Sequence, residues 1–307
     1  MKIGIPKALM YYKYFDLWSN FFNNLGFEVI TSCDTNFDIM QNGIKYSIDE
    51  NCLASKIYMG HVFYLIDKCD YIFVPRYCSY KDGDIACIKF NGLYDICKNT
   101  FDNVKFLNFN LDYSTNNGID SLFNLAQQLG LSKVKVLKAY LNAKKTVKEK
   151  NKLKVKLNNM ITNLNFKNNN LNIAIVAHPY VYEDKMLGQP VVSYLKSNNV
   201  NVIFSDNYDK ENIKDGWQNF SKTIYFKNNK ELLTGLNQYI AKVDGVIFLS
   251  VFSCGPDSIV NDLCVRRIKD KPILNLILDE QYNAGIETRL ESFIDILNFK
   301  RKADIVG

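Results

Sequence analysis

Three cysteines occupy motifs whose residue types suit a metal centre. Cys52 lies in Asp49-Glu50-Asn51-Cys52-Leu53, Cys87 in Ala86-Cys87-Ile88-Lys89-Phe90, and Cys254 in Ser253-Cys254-Gly255-Pro256-Asp257-Ser258. The hydrophobic pattern puts each where a strand should hand over to a loop or helix. In parallel sheets, all three thiols would then point into the crevice at the carboxyl ends of the strands, where α/β proteins place their chemistry. Three convergent thiolates with no obvious fourth ligand are the donor set of an iron–sulfur cluster with one open iron. The competing reading is three small buried hydrophobes, a common fate of cysteine outside disulfides.

Each motif has its own chemistry. Cys52 follows two carboxylates and precedes a helical pattern through Lys56, Gly60 and His61; the positive end of a helix dipole favours a thiolate there. Cys78 competes with Cys87 for one role, because Cys78 is nearer the strand end while Cys87 sits just before a helix. Cys254 is the tip of a strand–turn–helix elbow, with Gly255 for a tight turn and Pro256 in the first turn of the helix. Such an elbow could equally present a nucleophile, but nothing local brings His61 or His178 to it. His178, at the end of another strand, is open to a structural or a proton-transfer role. In 279–285 and the helix that follows, Glu287 and Glu291 lie one turn apart and read as an exposed acidic face. Cys69 and Cys264 read as core residues.

Composition narrows the class. The chain has 307 residues, 47% hydrophobic and 23% charged, an ordinary globular balance with room for two domains. No apolar run approaches the ~20 residues of a membrane span. The start, Met1-Lys2-Ile3-Gly4-Ile5-Pro6, reads as a strand, so a cytoplasmic protein is expected. Eight cysteines without Cys-x-x-Cys pairs argue against a disulfide framework and against a zinc ribbon. The net charge of +6 owes much to residues 133–156, including Lys138, Lys144, Lys145, Lys148, Lys150, Lys152 and Lys154. Val134, Leu137, Tyr140, Leu141 and Val147 recur there at helical spacing. A solvated helix face is therefore favoured over a nucleic-acid surface, which would interleave aromatic residues with basic ones. Neither Gly-x-Gly-x-x-Gly nor Gly-x-x-x-x-Gly-Lys-Ser/Thr occurs, so no phosphate-binding loop is expected.

The elements that must position these residues alternate. Strands are expected at 3–6, 27–31, 71–75 and 106–109, and helices at 9–25, 53–66, 119–129 and 134–164. After the polar stretch 167–170 the pattern restarts, with strands at 171–177, 200–204, 245–251 and 272–278 and helices at 186–197, 231–241, 259–267 and 285–301. This predicts an α/β protein of two doubly wound domains with parallel sheets and a helical connection: residues 1–166, including a helical extension, and 171–307.

Taken in order, the motifs resemble a known family. Gly4-Ile5-Pro6-Lys7-Ala8-Leu9 with Tyr11-Tyr12-Lys13-Tyr14, Asp49-Glu50-x-Cys52-Leu53-x-x-Lys56 with Gly60-His61, and Pro75-Arg76 before Cys87-x-Lys89-Phe90-x-Gly92-Leu93 are similar to its first domain. Cys254-Gly255-Pro256-Asp257-Ser258 and Ala284-Gly285-x-x-Thr288-Arg289-Leu290-Glu291-Ser292-Phe293 are similar to its second. The family is the 2-hydroxyacyl-CoA dehydratase D-component-like group, most closely the branch related to the CoA-substrate-specific enzyme activases. Two positions differ from its pattern, Gln281 and His178, where a histidine and an arginine are expected. The resemblance implies an iron–sulfur cluster, a single [4Fe-4S] or a double cubane, with Cys52, Cys87 and Cys254 as ligands. It implies a separate ATP-dependent activase that supplies one electron at a time. The reaction implied is radical dehydration of a 2-hydroxyacyl-CoA, or low-potential reduction of an acyl-CoA or another small molecule. A homodimer or a homologous second subunit is implied too, with no nucleic-acid or membrane partner. The same fold without the chemistry would be an acyl-CoA-binding or electron-relay module.

Overall fold

The computed structural model describes residues 1–81, 83–115, 118–210, 212–281 and 285–306. Asp82 in the loop before Cys87, and Tyr282, Asn283 and Ala284 of the carboxyl-terminal motif, lie outside the described residues. The chain divides into two compact units: Met1–Lys152 with Tyr225–Lys227, and Leu153–Ile224 with Asn228–Gly307. Both are α/β with parallel sheets, and the long helix α6 (Lys133–Asn165) carries the chain from one to the other.

In the first unit, β1 (Lys2–Ile5), β2 (Glu28–Thr31), β3 (Tyr71–Phe73) and β5 (Phe106–Leu107) form a sheet of order β2-β1-β3-β5. All its pairings are parallel; Ile3 lies beside Val29 on one side and Tyr71 on the other. The apolar run Tyr71-Ile72-Phe73-Val74-Pro75 predicts a third strand closed by its proline. Instead Val74 and Arg76 donate their amides to Leu107 and Phe109, and the pairing resumes as β4 (Arg76–Ser79) beside β6 (Asn110–Asp112). Pro75 lacks only the one N–H, so it interrupts the ladder without ending it.

Helix α1 (Tyr11–Asn24) starts two residues later than its apolar spacing suggests, because Leu9 has φ 50°, a left-handed conformation that cannot continue a helix. Trp18, Phe21 and Phe22 pack it onto Phe73, Leu107 and Phe109, and each buried aromatic ring contributes roughly 1.5–3 kcal/mol. Helix α2 (Phe37–Lys45) was not expected from the sequence. Its N-cap Asn36 accepts from the Ile39 amide at 3.0 Å, the usual role of asparagine there. It crosses α3 (Leu53–Leu65) at two glycines: a Cβ on Gly60 would lie 1.9 Å from the Ile39 carbonyl oxygen, and one on Gly43 would lie 2.1 Å from that of Lys56. Helices α4 (Ile88–Thr100) and α5 (Gly118–Gln128) complete the unit.

Helix α6 buries Val136, Ala139 and Ala143, while Val134 and Leu141 of the expected stripe are exposed. Small residues take the inward face because α1 comes close: Asn24 Nδ2 donates to the Ala139 carbonyl at 3.3 Å. The lysines face solvent, as the helical spacing implied.

In the second unit, β7 (Asn172–Val176), β8 (Asn201–Phe204), β9 (Gly245–Val251) and β10 (Ile273–Leu278) form an all-parallel sheet of order β10-β9-β7-β8. Every residue of β9 is buried, as a central parallel strand covered on both faces requires. The helices are α7 (Pro179–Tyr182), α8 (Gln189–Ser197), α9 (Lys227–Tyr239), α10 (Gly255–Arg267) and α11 (Ile286–Val306). Leu290, Phe293 and Leu297 form the inward face of α11; Glu287 and Glu291 are exposed, the acidic face the spacing implied. Among the described residues no helix is long and apolar enough to cross a membrane.

Candidate functional site

Cys52, Cys87 and Cys254 share one structural position. Each is the N-cap residue of a helix, α3, α4 and α10 respectively, and none uses its side chain to cap that helix by hydrogen bonding. These helices lead into β3, β5 and β10. A helix returning to a parallel strand runs antiparallel to it, so its N-terminus lies at the carboxyl edge of the sheet. Backbone N–H groups and the helix dipole there favour negative charge on sulfur. Cys52 does not follow a strand as expected; it follows α2 and a turn, because the crossover from β2 to β3 contains two helices.

Cys52 and Cys87 are neighbours within the first unit. The ammonium of Lys89, two residues after Cys87, donates to the side-chain oxygen of buried Asn51, the residue before Cys52. The two helix N-termini are thus one lysine side chain apart. The approach to Cys87 is fixed by pairing: the Ala86 amide donates to the Cys78 carbonyl at 2.9 Å, and Ile85 exchanges backbone hydrogen bonds with Tyr225 and Lys227.

Cys78 is in a different situation. Its thiol lies 2.9 Å from Asn91 Oδ1, which also accepts from Arg76 at 3.0 Å. Burial pushes its pKa up, with nearby Arg76 opposing. His61 is a fully buried strut: Nδ1 is 2.8 Å from Ser32 Oγ and Nε2 is 3.0 Å from Thr35 Oγ1. Burial, assisted by Lys7, lowers its pKa to about 3, so the ring is neutral and ties the segment after β2 to α3. All eight cysteines are thiols, with Cys97 and Cys264 buried. Burial raises Cys264 to about 12 and also raises Cys69 and Cys97. The thiol of Cys69 reaches the Leu65 carbonyl at 3.4 Å, in keeping with a structural role.

In the second unit the order of strands reverses between β7 and β9, and both sides of that switch point carry chemistry. His178 follows β7 and Cys254 follows β9. The His178 Nε2 stands 2.9 Å from Asp257 Oδ1, and Asn229 Nδ2 donates to the same oxygen at 2.8 Å. All three residues are buried. Burial alone would push the Asp257 carboxyl up. Attraction to His178, with hydrogen bonds from His178, Asn229 and Cys254, outweighs it and holds the carboxyl below its usual range. The imidazole also stacks on Tyr180, with ring centres 5.0 Å apart. Cys254 and His178, unconnected in the sequence reading, thus meet at one carboxylate. The local signal was Asp257 itself, three residues into the elbow; its partners lie 79 and 28 positions away. The tight turn expected of Gly255 is not required: its Cβ would meet nothing within 4 Å.

Two α/β units whose motif cysteines cap helices at the carboxyl edges of parallel sheets define the class of protein. Residues 2–208 match the family described as the CoA enzyme activase uncharacterised domain (DUF2229). The match covers more than half of the chain, and the chain belongs to that family. No curated protein gives a match. Two solved structures of a periplasmic metal binding protein from Candidatus Liberibacter asiaticus align over 97% of this chain and 100% of theirs. The Cd-bound form does so at 12% identity and a TM-score of 0.27, the other at 13% and 0.28. Among the described residues, no group of three or more His, Cys, Asp or Glu side chains is gathered so that it could hold a metal ion.

Proposed function

We propose that Cys52, Cys87 and Cys254 together hold an iron–sulfur cluster of the 2-hydroxyacyl-CoA dehydratase type, a [4Fe-4S] or double-cubane centre. A separate ATP-dependent activase would supply its electrons. The observation that carries this is the shared N-cap position, since three thiols of one chain are set against helix N-termini where thiolates are favoured. The donor set fits the group: soft sulfur ligands suit iron, and of the other cysteines Cys97 and Cys264 are buried while the sulfurs of Cys33, Cys69 and Cys78 meet Asn36, the Leu65 carbonyl and Asn91. Such a cluster supplies low-potential single electrons when bound, for radical dehydration or reduction of an acyl-CoA or small molecule. The chain's own residues do the rest. Lys89 and Asn51 hold two of the thiols in register, and the Asp257–His178–Asn229 network fixes the turn that presents the third. The absence of a phosphate-binding loop in this sequence supports an external activase.

The test is anaerobic reconstitution with iron and sulfide, followed by electron paramagnetic resonance of the reduced protein. Cys52→Ala, Cys87→Ala and Cys254→Ala should each lose cluster absorbance and signal, while Cys69→Ala should keep both. Full reconstitution of Cys254→Ala overturns the three-ligand assignment. Full reconstitution of Cys87→Ala with failure of a Cys78→Ala protein transfers that ligand to Cys78. A folded protein that binds acyl-CoA but never takes up iron is the electron-relay or binding module instead.

A further inference from the structure

The last three turns of α6 reverse the usual amphipathic order. Val155, Asn158, Asn159, Thr162 and Asn165 are half-buried, so the inward face is mainly polar, and the Asn165 carbonyl accepts from Asn201 Nδ2 at 3.0 Å. The apolar stripe faces the other way: Leu153, Leu157, Met160, Ile161 and Leu164 are each 50–64% exposed. Surface helices of globular proteins normally turn such a stripe to the core, and contiguous exposed apolar surface marks an interface. The charges beside it are cations, Lys152, Lys154 and Lys156, all exposed. Helix α11, in the same unit as these turns, has a face of opposite character. Glu287, Glu291 and Asp295 are exposed along it, followed by Ile296 at 56% and Phe299 at 78%. Arg301 of α11 donates to the Asn169 carbonyl at 2.9 Å, so the carboxyl ends of the two helices lie within reach of one side chain.

We infer that the chain pairs with a second copy of itself, the apolar stripe of α6 in each copy lying on the exposed face of α11 in the other. Charge and spacing carry this. Lys152, Lys156, Ile161 and Leu164 follow one another at intervals of four, five and three residues, and Glu287, Glu291, Ile296 and Phe299 do the same. The two helices, side by side in one direction, set two cations against two anions and two apolar residues against two others. A two-fold axis makes the contact twice. Pairing α6 with its own copy satisfies the charges less well, because residues 150–165 contain no carboxylate to meet the lysines. The area is sufficient. The seven exposed apolar side chains, five on α6 and two on α11, offer on the order of 100 Å² each. Two copies would then bury about 1,400 Å², within the span of stable specific interfaces. The pairing uses none of the proposed iron ligands and stands or falls separately from them.

The experiment is analytical ultracentrifugation of the full chain at micromolar concentration. The wild type should sediment as a dimer, and Leu164→Asp and Phe299→Asp should each leave a monomer. Both positions are exposed, so the circular dichroism of the variants should match that of the wild type. Charge reversal is the gentler test. Lys156→Glu and Glu291→Lys should each raise the dimer Kd about ten-fold, and the doubly reversed protein should return to within about two-fold of the wild type. A monomeric wild type overturns the inference. A dimer that survives Phe299→Asp also overturns it, since α6 would then pair with some other surface. So does a doubly reversed protein that dimerises no better than the single variants. No iron ligand is altered, so each result leaves the cluster assignment where reconstitution puts it.

Discussion

The two units present cysteine by the same backbone device and support it with different chemistry. In the first, Cys52 and Cys87 sit beside a cation: the Lys89 ammonium bridges the two helix starts through buried Asn51. In the second, Cys254 sits above an anion, Asp257, held ionised by His178 and Asn229. The first arrangement is a single link that is partly exposed, and the second a buried network whose members satisfy one another. Helix N-termini alone therefore prepare the sulfur position, and the surroundings decide how rigidly it is held.

That contrast can be broken most sharply at Asp257. Asp257→Ala strands two buried donors, each worth about 1–3 kcal/mol, so the second unit should lose about 3 kcal/mol. Lys89→Ala should cost the first unit about 1–2 kcal/mol, since Asn51 loses one charge-assisted bond at a partly exposed site. Urea unfolding reads the units separately, because the chain's two tryptophans, Trp18 and Trp217, fall one in each. Equal losses would show that the two supports are equivalent.

The glycines sharpen it next. Gly60→Ala drives a Cβ into the Ile39 carbonyl, forcing α2 and α3 apart at about 1–3 kcal/mol and disturbing the helix that starts at Cys52. Gly255→Ala meets open space and should change stability by less than about 0.5 kcal/mol. A tolerant Gly60 would remove the idea that α2 sets the orientation of α3.

A pH slope tests the first unit by itself. The folded pKa of His61, about 3, lies below its usual 6.5. Above pH 6.5 the ring is neutral in both states and contributes no slope. Between pH 6.5 and 3 only the unfolded chain binds the proton, so this residue makes stability fall as pH falls, by up to about 1.4 kcal/mol per unit. His61→Gln should flatten the first unit's stability over that window and leave the second unit's slope unchanged. An unaltered slope would mean that the ring is protonated in the folded state.

Much of this architecture was legible in the chain. The apolar runs at 71–75 and 245–251 are dense enough to specify buried parallel strands by themselves, and Cys254-Gly255-Pro256 announces a helix start. Helix α2 was not legible: nine residues with an asparagine cap carry too little periodicity to stand out, and the helix owes its place to the contact of Gly43 and Gly60 with α3. The inward face of α6 was legible only in part: Leu137 and Tyr140 pack against the first unit's core as their spacing implies, but the buried positions are Val136, Ala139 and Ala143, because close approach to α1 favours smaller side chains than Leu.

The sequence by itself determined that there are two α/β halves, which cysteines stand at the starts of helices, and that no phosphate-binding loop accompanies them. These follow from local periodicity and turn chemistry, which act over a few residues. Only the tertiary structure decided that the apolar stripe ending α6 turns to solvent, that Lys89 meets Asn51, and that His178 and Asn229 meet Asp257. Those pairings depend on strand order and helix crossing, which bring together side chains 28 to 79 positions apart, and no local pattern encodes a contact at that range.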